Sequence, residues 1–180
     1  KTFLQAVQGG PLVFDGAIGT QLYERGLFIN KCFDAANVAQ PDLVAAVHEA
    51  YLEAGADVLT TNTFAANAIK LKRHGLEEQV DSINRSGVEI ARRVAGEHAY
   101  VAASIGPTGL TPAMLTDREL EEIQSALGIL RRVDGDVPLL VHAEVADPPS
   151  LDVVQLARVI ERPRSFYLDL PWQRCGGKGA

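Results

Sequence analysis

The sequence predicts an α/β fold built on a parallel sheet, and three observations carry the prediction. Short apolar runs recur at 12–14, 58–59, 100–103, 139–141 and 166–168, several of them β-branched or aromatic as buried strands are. Stretches with helical spacing separate the runs, and each run ends in small or polar residues. Strand then helix, repeated, calls for crossover connections and hence parallel pairing.

The helices can be read in order. Pro41 stands where a first helical turn tolerates proline, and Leu43, Val47, Ala50, Tyr51 and Ala54 share one face before Gly55 stops the helix. Val80, Ile83, Gly87, Ala91 and Val94 form the stripe of a second helix, with Gly96 as its stop. A capping box, Thr116-Asp117-Arg118-Glu119, opens a third, followed by Leu120, Ile123, Leu127 and Leu130. Ser150, after Pro148-Pro149, caps a fourth that runs through Leu151, Val154 and Ile160. A (β/α)₈ barrel of ~250 residues spends about 31 on each unit, so this chain supplies five or six units. It reads as an incomplete barrel of TIM type, or as an open sheet built the same way. No linker rich in Pro, Gly or Ser divides residues 1–180, so one domain is expected.

Bulk properties narrow the partners. A chain of 180 residues that is 47% hydrophobic buries a real core, and its net charge of −6 leaves no basic stripe for nucleic acid. Small molecules are the expected ligands. Cys32 and Cys175 form neither a CxxC pair nor a disulfide pattern, which suits a reducing, cytoplasmic setting. No run approaches the roughly 18 apolar residues of a membrane span, and residues 1–5 lack a signal-peptide core.

The functional signal lies where the runs end: Asp15-Gly16-Ala17, Thr60-Thr61-Asn62-Thr63, Ser104-Ile105-Gly106-Pro107, His142-Ala143-Glu144 and Asp169. In parallel α/β folds the C-terminal edge of the sheet is where loops converge on a ligand. Any one of Asp15, Asn62 or Ser104 alone reads as a helix cap or a turn residue. Five strand ends on one rim favour a site. Of the histidines, His48, His74 and His98 lie on or beside helices, where structural or solvated roles are the rule, and His142 falls at the rim.

The motif residues then resemble a known family. Residues 14–22 (Phe-Asp-Gly-Ala-Ile-Gly-Thr-Gln-Leu), 28–34 (Phe-Ile-Asn-Lys-Cys-Phe-Asp), Gln40-Pro41-Asp42, Gly55-Ala56-Asp57, Thr60-Thr61-Asn62-Thr63-Phe64 and Ser104-Ile105-Gly106-Pro107-Thr108-Gly109 resemble the homocysteine-binding domain of homocysteine S-methyltransferases. The bacterial type fused to a methylenetetrahydrofolate reductase is the most similar. The resemblance covers about 11–110, and residues 111–180 diverge.

The resemblance implies a barrel that holds homocysteine at its C-terminal rim. Zinc on three cysteine thiolates lowers the substrate thiol's pKa, and a methyl donor arrives from another domain or protein. It places Asp15, Gly16 and Ala17 against the amino-acid part of homocysteine, with Thr61 and Asn62 on the same rim. Glu144 resembles a fourth-strand glutamate that reaches the substrate ammonium. The family's zinc cysteines come from an Asn-Cys strand end and a Gly-Gly-Cys-Cys segment, and neither is present. Arg174-Cys175-Gly176-Gly177 offers one thiolate, so Cys175 is the candidate ligand, while Cys32 falls in a segment outside the family's zinc site. The implied activity is zinc-dependent methyl transfer to homocysteine, giving methionine. Two rivals stand beside it: a non-catalytic amino-acid-binding or scaffold remnant, and a metal-independent acid–base enzyme using Asp15, His142, Glu144 and Asp169. The open edge of an incomplete barrel calls for a homodimer or a companion segment.

Overall fold

The computed structural model describes residues 3–106, together with the backbone of the two strands Leu139–His142 and Phe166–Asp169. The helices expected over 116–130 and 150–160, and the site candidates Glu144 and Cys175, lie outside the described residues.

The described helices are α1 (Phe3–Gly9), α2 (Ile18–Glu24), α3 (Ala36–Ala39), α4 (Pro41–Glu53), α5 (Ala68–Leu71) and α6 (Val80–Ala95). The strands are β1 (Val58–Thr60), β2 (Tyr100–Ile105), β3 (Leu139–His142) and β4 (Phe166–Asp169). The four described strands are parallel and lie in the order β1-β2-β3-β4. Sequential order without reversal has no switch point of the doubly wound kind, and it brings every strand's C-terminal end to one edge.

The first apolar run departs from expectation. It forms no full strand but a single parallel bridge, Phe14 to Val58. The amides of Asp57 and Val58 both donate to the Val13 carbonyl, and Asp15 N–H donates to Val58 O at 2.9 Å. The Asp57 carboxylate accepts from Val13 N–H at 2.9 Å, closing this short edge with a side chain where a longer strand would use backbone. The segment therefore lies beside β1 as the sequence requires, and it hands Asp15 to the same edge.

Side-chain alternation along the strands sets two faces. Leu59 and Val101 meet Ala56, Ala91 and Ala95 under α6. Val58 and Ala102 meet Phe3 of α1, whose ring stands edge-on to Tyr100 at 5.4 Å. A third cluster joins Ile18 and Leu22 of α2 to Val44 and Val47 of α4 and to Ile90 of α6. Pro41 opens α4 as expected, and Gly55 follows its end at φ +94°, a left-handed turn that costs glycine least.

The buried face of α4 is rotated from the expected one. Ala54 is exposed, and His48 is fully buried next to Val44 and Val47. A polar residue type hid that face from an apolar count. Neither ring nitrogen of His48 has a hydrogen-bond partner, and burial pushes its pKa from 6.5 to about 4. Because the unfolded chain binds this proton more readily, His48 subtracts stability as pH falls from 6.5 towards 4. Asp15 and Asp34 work in the opposite sense, since burial raises both to about 6 and their uptake of protons on acidification favours the folded state. Replacing His48 by leucine removes two unpaired buried nitrogens. The stability advantage of His48→Leu over the parent is expected to widen as pH is lowered from 7 to 4. Urea midpoints of both proteins across that range check it, and a pH-independent difference would show that His48 is hydrated or paired.

Candidate functional site

A cleft of about 840 Å³ opens at the C-terminal edge of the first strands, lined among others by Asp15, Gly16, Ala17, Thr61, Asn62 and Ser104. The strand ends legible in the first half of the sequence thus converge as expected. His142 and Asp169 sit in register at the ends of β3 and β4 on the same edge of the sheet, while Glu144 and Cys175 lie outside the described residues.

Asp15 is not a helix cap. The residue before α2 is Ala17, and that helix end has no side-chain cap. Instead the Asp15 carboxylate accepts from Thr60 N–H on one oxygen and from the Thr60 hydroxyl on the other, both at 2.8 Å. Burial raises its pKa to about 6, and the Thr60 bonds resist that rise. A carboxylate held in this way is oriented but incompletely compensated, and a cation brought to it would restore the charge balance.

The turn after Asp15 depends on a close approach. A Cβ on Gly16 would lie 2.9 Å from the Tyr51 hydroxyl and 3.2 Å from its ring, so only glycine lets that side chain lie against the turn. The Tyr51 hydroxyl donates to Ala17 O at 3.3 Å, which ties the turn to α4.

Thr61 and Asn62 are placed at the cleft, but their polar groups are largely spent on the protein. The Thr63 hydroxyl donates its single proton to Ser104 O at 2.8 Å, so the 2.6 Å contact between the two threonines is donated by Thr61. Thr61 Oγ1 in turn accepts from Ser104 N–H at 3.0 Å, stapling the end of β1 to β2. Asn62 donates both amide protons, to Phe33 O at 2.8 Å and to Asn37 Oδ1 at 2.9 Å. Asn37 returns the bond to Asn62 O at 2.7 Å. These residues fix the shape of the wall.

The sequence reading missed one side of the cleft altogether. Lys31, Cys32, Asp34, Lys70, Arg73 and His74 also line it, so His142 is not the sole histidine at the rim. Asp34 is buried, accepts from Ala65 N–H at 2.8 Å and is raised to about 6, chiefly by burial, with His74 and Lys70 opposing the rise. The clue was the short basic stretch Lys70-Leu71-Lys72-Arg73-His74.

Comparison with known proteins decides the family. The family model described as homocysteine S-methyltransferase matches residues 12–143, most of the chain and further than the motif run to about 110. The chain belongs to the homocysteine S-methyltransferase family. Methionine synthases of Mycobacterium leprae and Mycobacterium tuberculosis are each 35% identical to it over 115 residues, 57% of this chain and 10% of theirs. The chain thus corresponds to about a tenth of those relatives. The oxidized form of MmuM, a homocysteine methyltransferase of Escherichia coli, superposes with a TM-score of 0.71 at 25% identity, over 92% of this chain and 64% of its own. Its metallated form shares the fold at a TM-score of 0.67 and 24% identity, over 91% and 65%.

Among the described residues no three His, Cys, Asp or Glu side chains converge as a metal site. Cys32 is half-buried, and burial raises its thiol pKa, away from the thiolate that a soft metal needs. No described helix is long and apolar enough to cross a membrane.

Proposed function

We propose that this chain is a single (β/α) domain of TIM-barrel type that binds homocysteine in the cleft, as the substrate-holding part of a methyltransferase making methionine. The observation that carries the reading is the Asp15 carboxylate, fixed by Thr60 at the rim of a family-matched cleft. Its raised pKa marks a site that gains from an ammonium partner. The amino acid's ammonium would pair with Asp15, and the turn at Gly16 and Ala17 would lie along its backbone. Glu144, one residue beyond the family match, is proposed as a second carboxylate for the same ammonium. The methyl donor would come from another domain or protein, in a cytoplasmic setting.

Zinc, bound in the complete family site, would supply the thiolate form of homocysteine. MmuM has a metallated form, and this chain carries two cysteines against the three that the family resemblance implies. That mismatch favours a second reading, amino-acid binding without catalysis by this chain alone, in which homocysteine binds and no turnover follows.

Asp15→Asn keeps the shape but removes the charge. Homocysteine affinity is expected to fall by about 1.5–3 kcal/mol, the range for a charged hydrogen bond, with the fold retained. The parent's affinity is expected to weaken as pH drops through about 6, where Asp15 takes up its proton. Titration calorimetry at several pH values measures both. An unaltered affinity in a folded Asp15→Asn protein would remove Asp15 from the site.

A further inference from the structure

We propose that the wall of the cleft formed by Lys31, Lys70, Arg73 and His74 is a binding site for a multiply anionic group, carboxylate or phosphate, on the molecule that meets homocysteine there. The inference rests on the homocysteine reading for what the anion accompanies, but not for the anion site itself.

Charge accounting points to it. The chain carries a net −6, yet four basic side chains gather on one cleft. They come from two separate segments, Lys31 from the loop ahead of α3 and the other three from α5 and the short 3₁₀ turn Lys72–His74 that follows it. The fold therefore assembles the cluster; it is not one helix face shedding charge to solvent. Among the described residues none of the four makes an ion pair, unlike Arg85, which pairs with Asp81 on the exposed side of α6.

The acids on the cleft offset the cluster only in part: two carboxylates face four basic groups, and Asp34 interacts with His74 and Lys70. Asp34 is buried and accepts from Ala65 N–H, and Asp15 is engaged by Thr60. Lys31, Arg73 and His74 are exposed and Lys70 half-exposed, so their charged ends are open to a ligand entering the cleft. Convergent cations in a concave surface concentrate field and draw anions from solution, all the more where the rest of the surface repels them. Arg73 supplies the planar fork suited to carboxylate or phosphate, and the two lysines add point charges.

The cleft then has two unlike walls: Asp15 suited to an ammonium, and a basic wall suited to an anion. Such a division lets two substrates approach each other from opposite sides without competing for one charge.

Citrate, as a polycarboxylate, and inorganic pyrophosphate serve as probes in calorimetric titrations of the whole chain, with homocysteine titrated in parallel. At least one probe should bind the parent, more weakly as salt rises, and Lys70→Gln/Arg73→Gln should lose roughly tenfold or more in affinity. Lys70→Arg/Arg73→Lys should retain binding, and Asp15→Asn should not weaken it. Preference for citrate assigns a carboxylate-bearing ligand, preference for pyrophosphate a phosphate-bearing one. Binding of neither probe, or binding indifferent to the double glutamine change, overturns the anion site. Cation-dependent probe binding with no homocysteine binding would uphold the anion site and sink the homocysteine reading instead.

Discussion

Gly87→Val is expected to destabilise the protein by about 2–6 kcal/mol, combining overpacking of ~1–3 kcal/mol with a similar cost for a buried amide left unpaired. Gly87 lies on the buried side of α6, and a Cβ there would stand 2.6 Å from Asn37 Nδ2 and 2.7 Å from the Thr63 methyl. Neither neighbour can step aside freely. Asn37 Nδ2 donates to Asn62 O at 2.7 Å and to Ile83 O at 3.0 Å, and Thr63 donates to Ser104 O. A side chain at position 87 therefore pushes on both amide and hydroxyl staples that hold the cleft wall.

Gly87→Ala makes the argument sharper, because helix propensity alone favours alanine by about 1 kcal/mol. The packing term is expected to outweigh that gain, so even alanine should lower the urea midpoint. A more stable Gly87→Ala protein would show that α6 does not close on Asn37 and Thr63 as described.

The same position shows what the sequence could and could not disclose. Gly87 read as one member of an apolar stripe, and the stripe was right: Ile83, Gly87 and Ala91 are buried. Its neighbour Asn84 is buried too, donating to Ala66 O and Val80 O, and no apolar count would have found it. Periodicity reports which face is apolar, whereas burial of His48, Asn37 and Asn84 depends on partners far along the chain. The parallel pairing was legible because β-branched runs between helices leave few alternatives, although the run at 12–14 forms only a bridge. Asp15 was legible because it follows an apolar run and belongs to a specific motif. The Thr60 grip on Asp15, across 45 positions, and the assembly of Lys31 with Lys70 and Arg73 are products of folding that no local pattern records.

The purified chain is expected to hold well under one zinc per molecule and to transfer methyl groups at no more than background. A catalytic zinc that must also bind a substrate thiolate takes three protein ligands, and the family resemblance implies three thiolates. The chain has two cysteines in all. Cys32 reaches the cleft, but it is half-buried beside Ala66, Leu71 and Ile83 with its pKa raised by burial, then by Asp34. Metal binding there would first have to draw off a proton that the surroundings hold. Cys175 could add at most one more thiolate, leaving the third place to imidazole or carboxylate, which are harder donors. Supplying a segment with the missing cysteines, in the same chain or as a partner, is expected to raise zinc content towards one and to bring methyl transfer with it. Elemental analysis after dialysis, on the parent, Cys32→Ser and Cys175→Ser, measures the metal, and methionine formation from homocysteine measures the activity. One tightly held zinc per parent chain, lost in Cys175→Ser, would mean that the second half of the chain builds a rearranged metal centre after all.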